Sequence, residues 1–202
     1  MKIFKNIRGI SYNSPVILTF ALISLAVLVI ANITGSGVMR LLFSVHGNSW
    51  SWTDPFAYFR LIGHIFGHAD FSHYTGNFIM ILLIGPVLEE KYGSRRMTEM
   101  IFTTALITGL IFTIFIPNIA LRGASGIVFT LILLSSFTNA RTGKIPLTLI
   151  FAVIIYIGRE VIAGMANATG ITSDNISQLG HIIGAVCGLV FGIILNVTER
   201  NK

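Results

Sequence analysis

Long apolar stretches punctuated by short clusters of Lys and Arg constrain this chain more than anything else in it. Basic residues bunch at Lys2 to Arg8, Lys91 to Arg96, Arg141 to Lys144 and Arg200 to Lys202. Six runs between or beside them are long enough to span a bilayer: 15–33, 71–88, 97–116, 123–140, 145–163 and 178–197. Each is close to the roughly 20 residues that cross a hydrocarbon core. A composition of 53% hydrophobic and 11% charged residues agrees, since it falls outside the soluble globular range. Backbone polar groups in lipid must be satisfied within the spanning segments, so the spans read as helices and the whole, 1–202, as a single all-α membrane domain.

The first run follows Met-Lys-Ile-Phe-Lys-Asn-Ile-Arg, which resembles the basic start of a secretory signal, but its apolar part is too long for one. It reads as a retained anchor. With the N-terminus on the cytoplasmic side, ten basic residues fall inside (Lys2, Lys5, Arg8, Lys91, Arg95, Arg96, Arg141, Lys144, Arg200, Lys202) and four outside (Arg40, Arg60, Arg122, Arg159). That bias places both termini in the cytoplasm. The expected location is a multi-pass position in a bacterial cytoplasmic (inner) membrane. A net charge of +6 invites a nucleic-acid partner. The basic residues sit at span ends, however, where they set orientation against anionic lipid, so the bilayer is the expected partner and nucleic acid is not. The lone cysteine, Cys187, falls inside the last span and reads as packing.

Between the first two spans, the segment from Gly35 to about Asp70 is too long for a simple connection and carries Trp50, Trp52, Phe56, Tyr58 and Phe59. Such aromatics favour the headgroup region, which predicts an outer structure partly embedded in the interface, with short amphipathic helices and Arg60 as a structural donor. His64 and His68 have the i, i+4 spacing of two ligands on a helix face, but no carboxylate or cysteine set completes a metal site around them. No metal and no cofactor are expected. His73 and Asn77 share a helix face near the outer end of the second span, where buried polar groups need partners. That helix is expected to end inward in a short charged turn running from Gly85 to Ser94, where Glu89 acts as a cap or ion-pair partner. The third span, around Gly109, reads as packing.

Gly123-Ala124-Ser125-Gly126 opens the fourth span. By itself this is an N-cap with small neighbours that permit close packing, or a nucleophile at a helix N-terminus with room for a carbonyl beside it. Arg159 and Glu160 interrupt the fifth span, and the polar stretch Asn167 to Ser177 follows, together a candidate moving gate. In the sixth, Gly180, Gly184, Gly188 and Gly192 form a bare stripe that lets backbones approach, with His181 at its outer end. His73, Asn77, Ser125 and His181 therefore share one depth. Together they include a nucleophile, a base and oxyanion donors, with no acid at that depth, so a Ser-His dyad is expected.

In this order the motifs resemble a rhomboid intramembrane serine protease of the compact six-helix kind. The likeness covers about Phe59 to Gly192 and rests on His73-Tyr74-Thr75-Gly76-Asn77, on Gly123-Ala124-Ser125-Gly126, and on His181-Ile182-Ile183-Gly184 with Gly188. It implies a six-helix bundle with an outward-facing, water-filled cavity and cleavage of other proteins' transmembrane segments near their outer ends. Ser125 would be nucleophile and His181 general base, with His73, Asn77 and the Ser125 N–H holding the oxyanion. Two positions depart from the family pattern: Phe59 stands where a tryptophan often precedes Arg60, and Phe129 where a tyrosine often packs on the base histidine. Two other readings remain open. One is an inactive relative that binds transmembrane clients; the other is a small channel or transporter, which neither an inverted repeat nor a charged pathway supports.

Overall fold

The computed structural model describes residues 12–47, 50–116, 120–136, 147, 150, 154 and 173–200, with backbone alone at 173–177 and 196–200. Seven α-helices and one antiparallel strand pair occur among them. In chain order these are α1 (Pro15–Thr34), α2 (Gly37–Leu42), β1 (Val45–His46), α3 (Pro55–Gly63), α4 (Phe71–Tyr92), α5 (Ser94–Phe115), β2 (Ala120–Leu121), α6 (Ser125–Ser136) and α7 (Ser173–Arg200). Four are long and apolar enough to cross a membrane: α1, α4, α5 and α7, the last by its segment Gln178–Leu195. The described part of α6 is shorter, 12 residues. The fifth expected span, 145–163, lies outside the described residues except for Leu147, Ile150 and Ile154, each helical. Arg159, Glu160 and most of the candidate gate lie outside them as well.

Helix starts follow local chemistry. Pro15 opens α1 with a residue whose missing N–H has no role there. Asp54 caps α3 by accepting from Phe56 N, and Asp70 caps α4 by accepting from His73 N at 2.7 Å. The stretch from Gly85, expected to form a short turn, is instead helical as far as Tyr92, so the second span runs past its expected end at 88. Staying helical carries Glu89 to the start of α1, where its carboxylate accepts from Val16 N and Ile17 N, both at 3.0 Å, and from the Ser94 hydroxyl at 2.7 Å. A carboxylate on the first N–H groups of a helix satisfies donors that no residue of that helix reaches. Only Gly93 separates α4 from α5, and its φ of 83° makes the turn. Similarly, α7 begins at Ser173, so the polar stretch expected before it is helical from that residue on.

The core is built by α1, α4, α5 and α6: Ile17, Phe20, Phe78, Ile81, Met97, Ile127 and Leu131 are buried together. Phe20 meets Phe78 edge to face at 5.1 Å. The long connection between α1 and α4 is folded, as its aromatics suggested. Arg60 is buried and donates to Leu41 O at 3.0 Å and to Asp54 Oδ2 at 2.8 Å, which ties α3 to α2. Trp50 packs edge-on against Trp52 and Tyr58, while Trp52, Phe56, Tyr58 and Phe59 remain exposed. The backbone at Leu61 presses so closely on Gly109 of α5 that any Cβ there would collide with the Leu61 carbonyl. That contact gives the packing role of the third span a specific residue.

Candidate active site

The turn leading into α6 is held from two directions. Val45 pairs with Leu121 and His46 with Ala120, so β1 and β2 tie the long connection to the residues before Ser125. Two residues further on, Gly123 N–H donates to His64 O at 2.9 Å. Gly123 has a φ of 121°, a conformation that side-chain-bearing residues rarely adopt, and it prevents the helix from starting at 123 as the sequence suggested. The helix starts at Ser125.

Beside this turn stand His73 and Asn77, one helical turn apart on α4. A Cβ placed on Gly123 would lie 2.9 Å from both Cε1 and Nε2 of His73 and 3.7 Å from Asn77 Nδ2, so only glycine lets the backbone come this near. Ala69 N–H donates to His73 Nδ1 at 3.5 Å, which leaves the imidazole proton on Nε2, the nitrogen facing Gly123. Asn77 is buried, and its Nδ2 finds no hydrogen-bond partner among the described residues. An orphaned buried donor is costly, and it stands against the serine turn.

On the other side of α6 lies α7. Gly184 meets the Gly126 carbonyl and Gly188 the Thr130 carbonyl so closely that a Cβ on either glycine would collide. The Thr130 hydroxyl donates to Gly184 O at 2.9 Å, and its distance to Gly126 O is 3.0 Å, so one side chain bridges the two backbones. The stripe is uneven. A Cβ on Gly180 would meet nothing nearer than Phe112 Cζ at 4.0 Å, although the Gly180 carbonyl would lie 3.4 Å from a Cβ on Gly126. The His181 ring stacks on Phe129 at 4.4 Å and 14°. Phe129 lies one turn along α6 from Ser125, so the face that carries the hydroxyl also carries the ring on which the histidine lies.

A cavity of about 550 Å³ opens at this point, lined by Ser125, Gly123, Gly126, His73, Thr108 and Gly180 among others. Of the eight residues singled out from the sequence, Ser125, His73, Gly123 and Gly126 line it. Asn77 adjoins it through Gly123, and His181 follows the lining residue Gly180. Gly184 and Gly188 fix the distance between α6 and α7 without lining it.

The metal spacing of His64 and His68 fails for a local reason. The chain leaves the helix through a 3₁₀ turn at His64–Phe66 and is extended at Gly67, so the two rings do not share a helix face. His64 Nε2–H donates to Ala105 O at 3.1 Å and His68 Nδ1–H to Phe66 O at 3.3 Å. Burial holds both rings neutral, with pKa values pushed down to about 4. Among the described residues no group of three potential ligands occurs. Sequence reasoning missed the β1–β2 pair, the Thr130 bridge and Thr104 and Thr108 in the cavity wall. Two-residue strands and isolated threonines carry no periodic signal, whereas Asp70, three before His73, had the spacing of an N-cap.

Fold and site together define a polytopic helical membrane protein with a cavity between its helices that polar side chains reach. Residues 55–197 match the family model for the rhomboid domain, and the chain belongs to the rhomboid family. It is similar to Rhomboid-related protein 1 of Caenorhabditis elegans, 30% identical over 177 residues that cover 84% of this chain and 47% of that protein. A second relative is Rhomboid-like protease 1 of Toxoplasma gondii, 25% identical over 156 residues, or 71% of this chain and 49% of that one. The chain spans about half the length of these curated relatives.

Proposed function

We propose that this protein is an intramembrane serine endopeptidase that cleaves transmembrane segments of other membrane proteins near their outer ends. The observation that carries the reading is the donor pair against the serine turn: His73 Nε2 and the orphaned Asn77 Nδ2, both facing Gly123, two residues before Ser125. Fixed donors, one of them buried without a partner among the described residues, suit a charge that appears only during reaction.

In this reading Ser125 Oγ attacks the scissile carbonyl while His181 takes the hydroxyl proton, and the carbonyl oxygen becomes an oxyanion held by His73, Asn77 and the Ser125 N–H. When the tetrahedral adduct collapses, the C–N bond breaks and His181 returns its proton to the leaving amine. Water then attacks the acyl-enzyme, His181 takes one of its protons, and the ester bond to Ser125 breaks as Oγ regains it. The stack on Phe129 orients the imidazole without a phenolic hydrogen bond. A substrate helix has its carbonyls engaged in i to i+4 bonds, so it must unwind before attack, and segments containing glycine are favoured. The proposed bundle has six spans, both termini in the cytoplasm of a bacterium and the cavity opening outward. No metal enters the chemistry.

A fluorophosphonate probe tests the nucleophile directly. Wild type labels at Ser125 and cleaves a model transmembrane substrate, and Ser125→Ala does neither while unfolding at the wild-type temperature. His181→Ala loses turnover nearly as completely. Asn77→Ala keeps a residue of activity, reduced by at most about 10²–10³-fold, because two donors remain. Labelling of folded Ser125→Ala, or full turnover by it, would refute the assignment, as would loss of activity on chelation that zinc restores.

A further inference from the structure

A second cavity, about 310 Å³, lies in the connection between α1 and α4, away from Ser125. Arg40, His46, Arg60, Asp54 and Leu41 line it. Its charges do not balance. Asp54 is engaged by Arg60 at 2.8 Å and accepts from Phe56 N at 2.9 Å, so the one carboxylate is already occupied. The Arg40 side chain is exposed and makes no hydrogen bond or ion pair among the described residues. His46 Nε2 is buried and likewise lacks a partner among them. The surroundings are those of a headgroup layer: Leu41, Trp52, Phe56, Tyr58 and Phe59 are all exposed on the same connection.

We infer that this cavity binds a phosphate-bearing anion, with the Arg40 guanidinium and His46 Nε2–H as its donors. A guanidinium offers phosphate two parallel N–H groups, and a neutral imidazole whose proton is on Nε2 adds a third. Burial first, and then the fields of Arg40, Arg60 and Arg122, hold the His46 pKa below its ordinary value. An anion seated there relieves the repulsion among those cations. Two sources supply the chemistry: the phosphodiester of an anionic phospholipid, for which the exposed aromatic residues are suited, and free inorganic phosphate.

The full chain in detergent decides between them. Trp50 and Trp52 are the two tryptophans of the protein, and both lie in this connection, so their fluorescence reports on it. Titration with dihexanoyl phosphatidylglycerol should give a saturable change that Arg40→Gln and His46→Ala each weaken by about tenfold or more, the loss expected for one charge-assisted or buried hydrogen bond. Arg95→Gln, which removes a charge exposed elsewhere and paired with Glu99, should titrate like wild type. His46→Gln, which keeps an N–H donor, should recover part of the loss. An equal response to inorganic phosphate identifies the free ion as sufficient, and a response to phosphatidylglycerol alone identifies the lipid. The inference fails if wild type responds saturably to neither, or if folded Arg40→Gln or His46→Ala titrates like wild type.

Discussion

The contact between α6 and α7 and the contact between α1 and α4 hold comparable helices together by opposite means. At α6–α7 the side chains are stripped away: Gly126, Gly184 and Gly188 let carbonyls touch the facing helix, and the Thr130 hydroxyl joins the two backbones. At α1–α4 the side chains do the packing, with Phe20 on Phe78, Ile17 over Gly85, and the Glu89 carboxylate on the first turn of α1. A joint of large side chains adjusts by rotamer changes, whereas a joint of backbones has nothing to adjust. The stiffer joint lies beside Ser125 and His181, and the compliant one supports the scaffold.

Substitutions separate the two joints. The largest effect is expected for Gly184→Ala, because its Cβ would strike the Gly126 carbonyl and force the helices apart. Displacing His181 by about 1 Å from Ser125 is expected to cut turnover by about 100-fold or more, measured as cleavage of a transmembrane substrate by protein that remains folded. Near-wild-type turnover would mean that the joint is not stiff. Glu89→Ala comes next and acts on stability, not chemistry. Losing the acceptor of two helix N–H groups and a hydroxyl is expected to cost on the order of 3 kcal/mol, seen as a lower unfolding temperature with kcat per folded molecule unchanged. Smallest is Gly76→Ala, on an exposed part of α4 where a Cβ meets nothing within 4 Å. Helix propensity alone should then stabilise by at most about 1 kcal/mol. A loss of stability there would show that glycine on these helices matters for reasons other than close approach.

Four of the expected spans, α1, α4, α5 and α7, were legible in the sequence because hydrophobic length is a one-dimensional property. So was the i, i+4 spacing that puts His73 and Asn77 one helical turn apart on α4. The bend after His64 was not, since a 3₁₀ turn into an extended Gly67 has the same residue spacing as a helix until the backbone is seen. The helical state of the stretch after Pro86 was also hidden: a proline usually marks an end, and here the tie from Glu89 to α1 outweighs it. The fourfold glycine stripe looked uniform, yet a Cβ would strike backbone at Gly184 and Gly188 and not at Gly180. Spacing tells which residues share a face but not how far away the facing helix lies.

The backbone joint also sets an order of events. Synthesis runs from the N-terminus, so the brace on Ser125 from His64 and from the β1–β2 pair is complete some 50 residues before α7 exists. Until Gly184 and Gly188 dock, the Gly126 and Thr130 carbonyls lack the neighbour they were shaped for, and Phe129 has no histidine to stack on. A nascent chain therefore carries its serine in a finished turn beside an empty berth, and the proposed Ser125–His181 pair comes together only once α7 docks.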